Sequence, residues 1–198
     1  MAKNTQPVLK RCRTLGVSPA AMGYSKNSNR NPGGKRRTKK SEYAMQLTEK
    51  QKVKFVYGIL EKQCHMLYEK AERMNGNTGE LLLSLVERRL DNVVYRLGFA
   101  RTRREARQLV NHGHFTVNGK RVNIPSYQTV VGDVIAVSEK SCATTRFKAM
   151  KEDNTFVAAP KWLERDKNTL SGKVIALPAR DDIDFEIAEN LIVELYSK

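Results

Sequence analysis

The sequence predicts an α+β protein: a run of helices, then a small, mainly antiparallel β-sheet set among short helices, behind a basic, extended N-terminal arm. Three observations carry this. From Ser41 to about Met74, Val53, Val56, Tyr57, Leu60, Cys64, Leu67, Tyr68 and Ala71 recur at i, i+3 and i+4, the spacing of a helix that buries one face. Asn118-Gly119 separates Phe115-Thr116-Val117 from Lys120-Arg121-Val122. An Asn-Gly pair between such runs signals a hairpin, because both turn residues need positive φ. Residues 1–41 carry eleven basic residues and no acid, with Pro7, Pro19, Pro32, Gly16, Gly23 and Gly33-Gly34 among them. With few apolar side chains to bury, that segment is not expected to fold in isolation.

Each element has a local reason. Within the arm, Lys35-Arg36-Arg37-Thr38-Lys39-Lys40 is the densest positive run of the chain. The first long helix is offered a capping box by Thr48 and Gln51, whose side chains satisfy amide groups that have no partner in a first turn. Lys50, Lys52 and Lys54 near that start oppose the helix dipole, which points weakly to an external anion. Cys64 lies in the apolar stripe and is expected in the core. Asn75-Gly76-Asn77 breaks the helix, and Thr78 can cap the next. There Leu82, Leu85, Val86 and Leu90 form an apolar face suited to an αα-hairpin with the preceding helix. Leu90, Val93, Val94 and Leu97 keep helical spacing up to Gly98; the pattern leaves open whether the helix breaks at Asp91. Thr102 stands three residues before Glu105, a second capping box. Ala106, Leu109 and Val110 then give an apolar face, and Gly113 ends that helix. After the hairpin, Val134 to Val137 reads as a third strand.

Beyond Val137, Thr144 or Thr145 could start a short helix through Met150. Phe156-Val157 suggests an edge strand, Pro160 to Leu163 a helical turn with Trp162 as a packing anchor, and Lys173 to Leu177 a strand or extended connector. Ile187, Leu191, Ile192 and Leu195 mark an amphipathic C-terminal helix. From Glu152 to Lys198 there are ten acids and six bases, so this part is expected to face away from a polyanion. Asp181, Asp182, Asp184 and Glu186 read as a solvated acidic turn, since no calcium-loop spacing accompanies them.

The totals set the class. At 198 residues with 40% hydrophobic content there is room for one large or two small domains with real cores. A net charge of +15 calls for a polyanionic partner. No apolar run approaches the roughly 20 residues of a membrane span, and the N-terminus lacks the apolar core of a secretory signal; a cytoplasmic location is expected. Cys12, Cys64 and Cys142 are widely spaced and form no CxxC, so neither a redox dithiol nor a zinc ribbon is supported. No metal or cofactor is expected.

The positive charge is concentrated around the hairpin. From Arg88 to Arg121 there are nine basic and two acidic residues. Arg103, Arg104, Arg107 and Asn111 fall in one arc beside the apolar stripe of their helix, Arg89 and Arg96 share a flank of the one before, and Lys120 and Arg121 leave the turn. Most of these arginines have no acid at i±4. Guanidinium groups grip phosphate bidentately and stack on bases. The arrangement is expected to be a surface for structured RNA, recognised mainly by shape.

Residues 88–137 resemble the S-four RNA-binding domain, which also occurs in some pseudouridine synthases, a heat-shock protein and tyrosyl-tRNA synthetases. The flanks narrow this. LTEKQKVKFVYGILEKQ (47–63), GNTGELLLSLVERRLDNVVYRLGFARTRREARQLVNHGHFTVNGKRVNIPSY (76–127) and ENLIVELYSK (189–198) together resemble the bacterial-type small-subunit ribosomal protein S four family. That resemblance implies a basic arm over residues 1–42, a helical domain from 43–87 plus 168–198, and an RNA-binding domain inserted at 88–167. It implies direct binding to small-subunit (16S) rRNA, early action in subunit assembly, contact with ribosomal protein S five and other small-subunit proteins, mRNA nearby where it enters the subunit, and influence on decoding accuracy. One departure is clear. Many members bind zinc through four cysteines near the N-terminus; here Cys12 remains, Leu9 stands where its CxxC partner would be, and 23–34 has no cysteine. The chain resembles the zinc-free type, whose arm is ordered by rRNA and neighbours.

The expected RNA contacts are Lys35, Arg36, Arg37, Lys39, Lys40, Lys50, Lys52, Arg89, Arg101, Arg103, Arg104, Arg107, Lys120 and Arg121, with Gln108, Asn111, His114 and Asn118 as polar candidates. Charge reversal of Arg103 and Arg107 is expected to weaken binding without unfolding. An RNA-modifying enzyme or a free RNA chaperone could use the same domain. However, the sequence shows no Gly-rich phosphate loop, His-carboxylate constellation or nucleophile motif, and no catalytic residue is assigned.

Overall fold

The computed structural model describes residues 6–26, 41–152, 159–166 and 169–197. In chain order these hold α1 (Val8–Leu15), a 3₁₀ turn at Ala20–Met22, α2 (Glu42–Tyr57), α3 (Glu61–Glu72), α4 (Thr78–Glu87), α5 (Leu90–Arg96) and α6 (Arg103–Asn111). There follow β1 (Phe115–Val117), β2 (Lys120–Arg121), β3 (Val134–Val137), α7 (Glu139–Cys142), α8 (Thr145–Glu152), β4 (Leu163–Asp166), β5 (Ser171–Val174), a 3₁₀ turn at Arg180–Asp182 and α9 (Glu189–Tyr196). The α+β expectation holds. The chain divides into two units: Met1–Leu83 with Ile183–Lys198, and Ser84–Asp182.

In the first unit, the N-terminal segment is not extended over 6–26. Cys12, Leu15, Val17 and Met22 are buried, enough apolar surface to hold α1 and the turn after it. Residues 27–40, with the 35–40 basic run, lie outside the described residues. The long helix expected from Ser41 is two helices. Gly58 takes φ 64° and its N–H bonds back to the Lys54 carbonyl, closing α2; a left-handed residue cannot continue a helix. The apolar stripe crosses this break because both helices bury the same kind of face, so periodicity alone hid it. The cap also lies earlier than Thr48: Ser41 Oγ accepts from the Ala44 N–H at 3.3 Å, while Thr48 sits inside α2 and donates to the Ala44 carbonyl at 2.6 Å.

The principal partner of α2 and α3 is α9, rather than the expected α4. Gln46, fully buried, donates to Glu194 at 3.1 Å, the Ala188 N–H donates to Glu49 at 3.3 Å, and the Tyr196 and Tyr68 rings lie 4.8 Å apart. Helix α4 crosses the division, with Leu82 and Leu83 in the first unit, Leu85 and Val86 in the second, and all four buried.

The second unit is a five-stranded antiparallel sheet in the order β2-β1-β3-β5-β4 with α5 and α6 packed together beside it. Strand alternation sorts its side chains: Phe115, Val117, Ile135, Val137, Leu163 and Val174 are buried in one core with Leu90, Val94, Leu97 and Phe99. Thr116, Ala136 and Lys173 take the other face. Trp162, 1% exposed, anchors the core as expected. Asn118 (φ 50°) and Gly119 (φ 78°) make the hairpin turn, both central residues left-handed as its two-residue loop demands. The question left at Asp91 is answered two residues earlier: Arg89 is extended (φ −66°, ψ 137°) and starts α5. The expected edge strand at 156–157 lies outside the described residues.

Candidate nucleic-acid interface

Helices α5 and α6 position most of the basic residues, and they sort them into a buried set and an exposed set. Glu87, at the end of α4, is fully buried. It accepts two hydrogen bonds from Arg96, Nε–Oε2 3.0 Å and Nη2–Oε1 2.8 Å, and one from Asn92 Nδ2 at 2.5 Å. Asn92 in turn accepts from Arg103 Nε at 2.8 Å, and the Arg103 guanidinium lies over the Tyr95 ring, 4.4 Å from its centre. Asp91, 4% exposed, accepts from Arg89 Nε at 3.1 Å and Nη2 at 3.0 Å. It also accepts from Arg107 Nε at 2.8 Å and Nη2 at 2.6 Å.

These arginines therefore do have anionic and polar partners, supplied by neighbouring turns and helices instead of by i±4 positions. Arg89 is 3% and Arg103 7% exposed, while Arg107 keeps 23% of its side chain exposed. Reversing Arg103 would bury a carboxylate beside Tyr95 and Asn92, so that substitution probes the fold as well as any RNA contact; the expectation that it leaves folding intact is corrected on this ground.

The exposed set is Arg101, Arg104, Gln108, Asn111, Asn118, Lys120 and Arg121. Arg104, Gln108 and Asn111 lie one helical turn apart on α6. Asn118 is already engaged: it donates to Asp133 at 2.8 Å and accepts from the Val134 N–H at 2.9 Å, latching the turn to β3. Arg121 donates to the Gly113 carbonyl at 3.0 Å and the His112 carbonyl at 3.1 Å. This satisfies carbonyls left over at the end of α6 and fixes the strand beside the helix.

His114 is half-buried and its Nδ1 lies 2.9 Å from Ser141 Oγ. Burial lowers its pKa from the ordinary value, and His112, Arg146 and Arg121 nearby lower it further. A histidine so affected reports a positive field shared by the end of α6, the hairpin and α8. Arg146 is the residue that sequence reasoning missed. It bonds Glu105 on α6 at 2.6 Å, and with exposed Lys148 and Lys151 it carries the basic surface onto α8. The signal was present in TTRFKAMK, where three bases follow a possible cap with no acid before Glu152; nothing in the spacing showed that Arg146 reaches Glu105 on α6.

Lys50 and Lys52 belong to the first unit. Lys50 pairs with Glu61 at 2.9 Å and Lys52 with Glu49 at 2.6 Å. The anion inferred from the helix dipole is thus present as the protein's own carboxylates. Among the described residues there is no group of three or more His, Cys, Asp or Glu able to hold a metal. No helix among them is long and apolar enough to cross a membrane.

The class follows from this module. Residues 88–135 match the S4 domain, the stretch that carries α5, α6, the hairpin and the start of β3; residues 3–87 match the Ribosomal protein S4/S9 N-terminal domain. The Small ribosomal subunit protein uS4 of Fusobacterium nucleatum subsp. nucleatum is 52% identical over 198 residues, covering 100% of both chains. That of Lachnospira eligens is 54% identical over the same span. That of Caldicellulosiruptor saccharolyticus is 64% identical over 165 residues, 83% of this chain and 79% of its own. The chain belongs to the uS4 family of small ribosomal subunit proteins.

Proposed function

We propose that this protein is a structural, non-enzymatic constituent of the small ribosomal subunit in the cytoplasm, and that it binds small-subunit (16S) rRNA directly. The observation that carries the reading is identity above one half to uS4 relatives along the whole chain. The basic face of the second unit supplies the chemistry. Arg101, Arg104, Arg107, Lys120, Arg121 and Arg146 contact phosphate and sugar, with Gln108, Asn111 and His114 as polar neighbours. The 35–40 run adds contacts from the arm. Lys50 and Lys52 join only by exchanging a carboxylate for a phosphate, and Arg89 and Arg103 act from behind the surface.

By the same reading the protein acts early in subunit assembly, touches ribosomal protein S five, lies near mRNA where it enters the subunit, and contributes to translational accuracy. If six to ten phosphates are neutralised, affinity falls on the order of a thousandfold or more between about 50 and 200 mM salt. The test is sedimentation of growing-cell lysates on a sucrose gradient, together with filter binding of purified protein to small-subunit rRNA. Co-migration with small subunits and a steep salt dependence are expected. A protein at the top of the gradient that ignores the transcript refutes the reading.

A further inference from the structure

Asp91 is an anomaly, a buried acid beneath a face proposed to meet polyanion. It is one of only two acids between Arg88 and Arg121, and it could have been neutral or basic if charge alone mattered. Its placement suggests a different use. The Asp91 N–H is tied to the Pro125 carbonyl at 3.2 Å, and both carboxylate oxygens are taken up by guanidinium groups. Arg89, with its side chain 4% exposed, balances the charge from the buried side. Arg107 approaches from α6 and grips Asp91 through two nitrogens, with 23% of its side chain left to solvent. Arg107 is thus gripped at its inner side and open to solvent at its outer side. Arg104 and Asn111 stand three and four residues from Arg107, on the same side of the helix.

We propose that Asp91 is a positioning residue for RNA recognition. It holds Arg107 at a set point on the surface, so that the face discriminates folded RNA from unstructured RNA instead of attracting both alike. The proposal rests on the rRNA-binding reading above. A loose arginine follows a phosphate anywhere within reach and loses rotamer freedom on binding; a held arginine loses less, and rewards only a phosphate at its own location. The carboxylate thus lowers general attraction and raises selectivity, which a purely structural acid would not do.

The test compares affinity of the full chain for folded small-subunit rRNA and for polyuridylate, at one salt concentration. Asp91→Asn is expected to weaken the folded complex about tenfold, the worth of one charge-assisted hydrogen bond, and to leave polyuridylate binding equal or tighter because a negative charge is gone. Affinities that fall together, or a ratio that does not move, overturn the proposal. Because Asp91→Asn deprives buried Arg89 of its partner and can unfold the unit, Arg107→Lys is the second variant. It keeps the charge and the Asp91–Arg89 pair but loses the two-nitrogen grip, and the same loss of selectivity is expected. Selectivity retained in Arg107→Lys overturns the proposal, as does a double variant whose loss is the sum of the two singles. A wild-type protein with no affinity for rRNA refutes the functional reading itself, and is seen before any variant is made.

Discussion

A carboxylate stands at the centre of a cationic cluster in each unit, but the two clusters are built of different cations at different depths. In the first unit, Lys50 and Lys54 converge on Glu61, whose side chain is 49% exposed, and Tyr196 donates to the same carboxylate at 3.0 Å. In the second, Arg96 closes on Glu87, whose side chain is fully buried, and Arg89 and Arg107 close on Asp91, 5% exposed by side chain. Water can replace any partner of Glu61. It cannot reach Glu87. The lysine cluster is therefore a rim that trims the fold, whereas the arginine network is part of the core and sets where the exposed end of Arg107 lies.

The sharpest way to break this contrast is to neutralise each centre. Glu87→Gln leaves Arg96 buried without its counter-charge, and is expected to destabilise the second unit by about 3–5 kcal/mol. Glu61→Gln removes only a half-exposed partner, with an expected cost of about 0–1 kcal/mol. Urea unfolding of the full chain measures both, and equal costs would dissolve the distinction. Next in size, charge reversal at Arg104 or Lys120 in the exposed set should lower rRNA affinity by about tenfold and reduce the salt slope by about one to two. The unfolding midpoint should stay where it is. A shifted midpoint with unchanged affinity would place those residues with the buried network.

Two pH effects are smaller and sharpen the contrast further. Burial, with His112, Arg146 and Arg121 nearby, lowers the His114 pKa from its ordinary value in the free protein. Phosphates arriving on that face cancel the positive field and raise its pKa, so binding takes up a proton. Affinity should then rise as pH falls through the imidazole range, by at most about tenfold per unit for one proton, and His114→Gln should flatten the rise. In the other unit, burial alone would raise the Glu61 carboxyl. Hydrogen bonds from Lys54, Lys50 and Tyr196, with the charge of Lys54, instead bring it from 4.5 down to about 2. A depressed carboxylate stabilises above its unfolded pKa, so this contribution is full above about pH 4.5 and fades toward 2. The thermal midpoint of wild type should drop over that interval by more than that of Glu61→Gln.

Much of this fold was legible because local chemistry leaves local marks. The Thr102 cap, the Asn118-Gly119 turn and the apolar faces of α5 and α6 each depend on neighbours within a few residues, and each was found where spacing placed it. Gly58 was passed over because a stripe that continues on both sides of a break looks like a single helix. The site was legible as composition and much less as geometry. Nine bases in one stretch announced a polyanion partner. Which of them face outward depends on Asp91, Asn92 and Glu87 arriving from α4 and α5, and on Arg146 of α8 reaching Glu105 of α6. Those are tertiary facts, and no helical period encodes them.

The closing of α2 by α9 has a bearing on how the polypeptide is made. Gln46 waits for Glu194, 148 positions downstream, whereas the second unit is one unbroken stretch from Ser84 to Asp182. During translation the middle of the molecule is fully present while the beginning still lacks its final helix. At a synthesis rate of about 5–20 residues per second, the sixteen residues from Ile183 to Lys198 take on the order of one to three seconds. For that interval the nascent chain pairs a finished centre with an unfinished first unit, which α9 completes once it emerges.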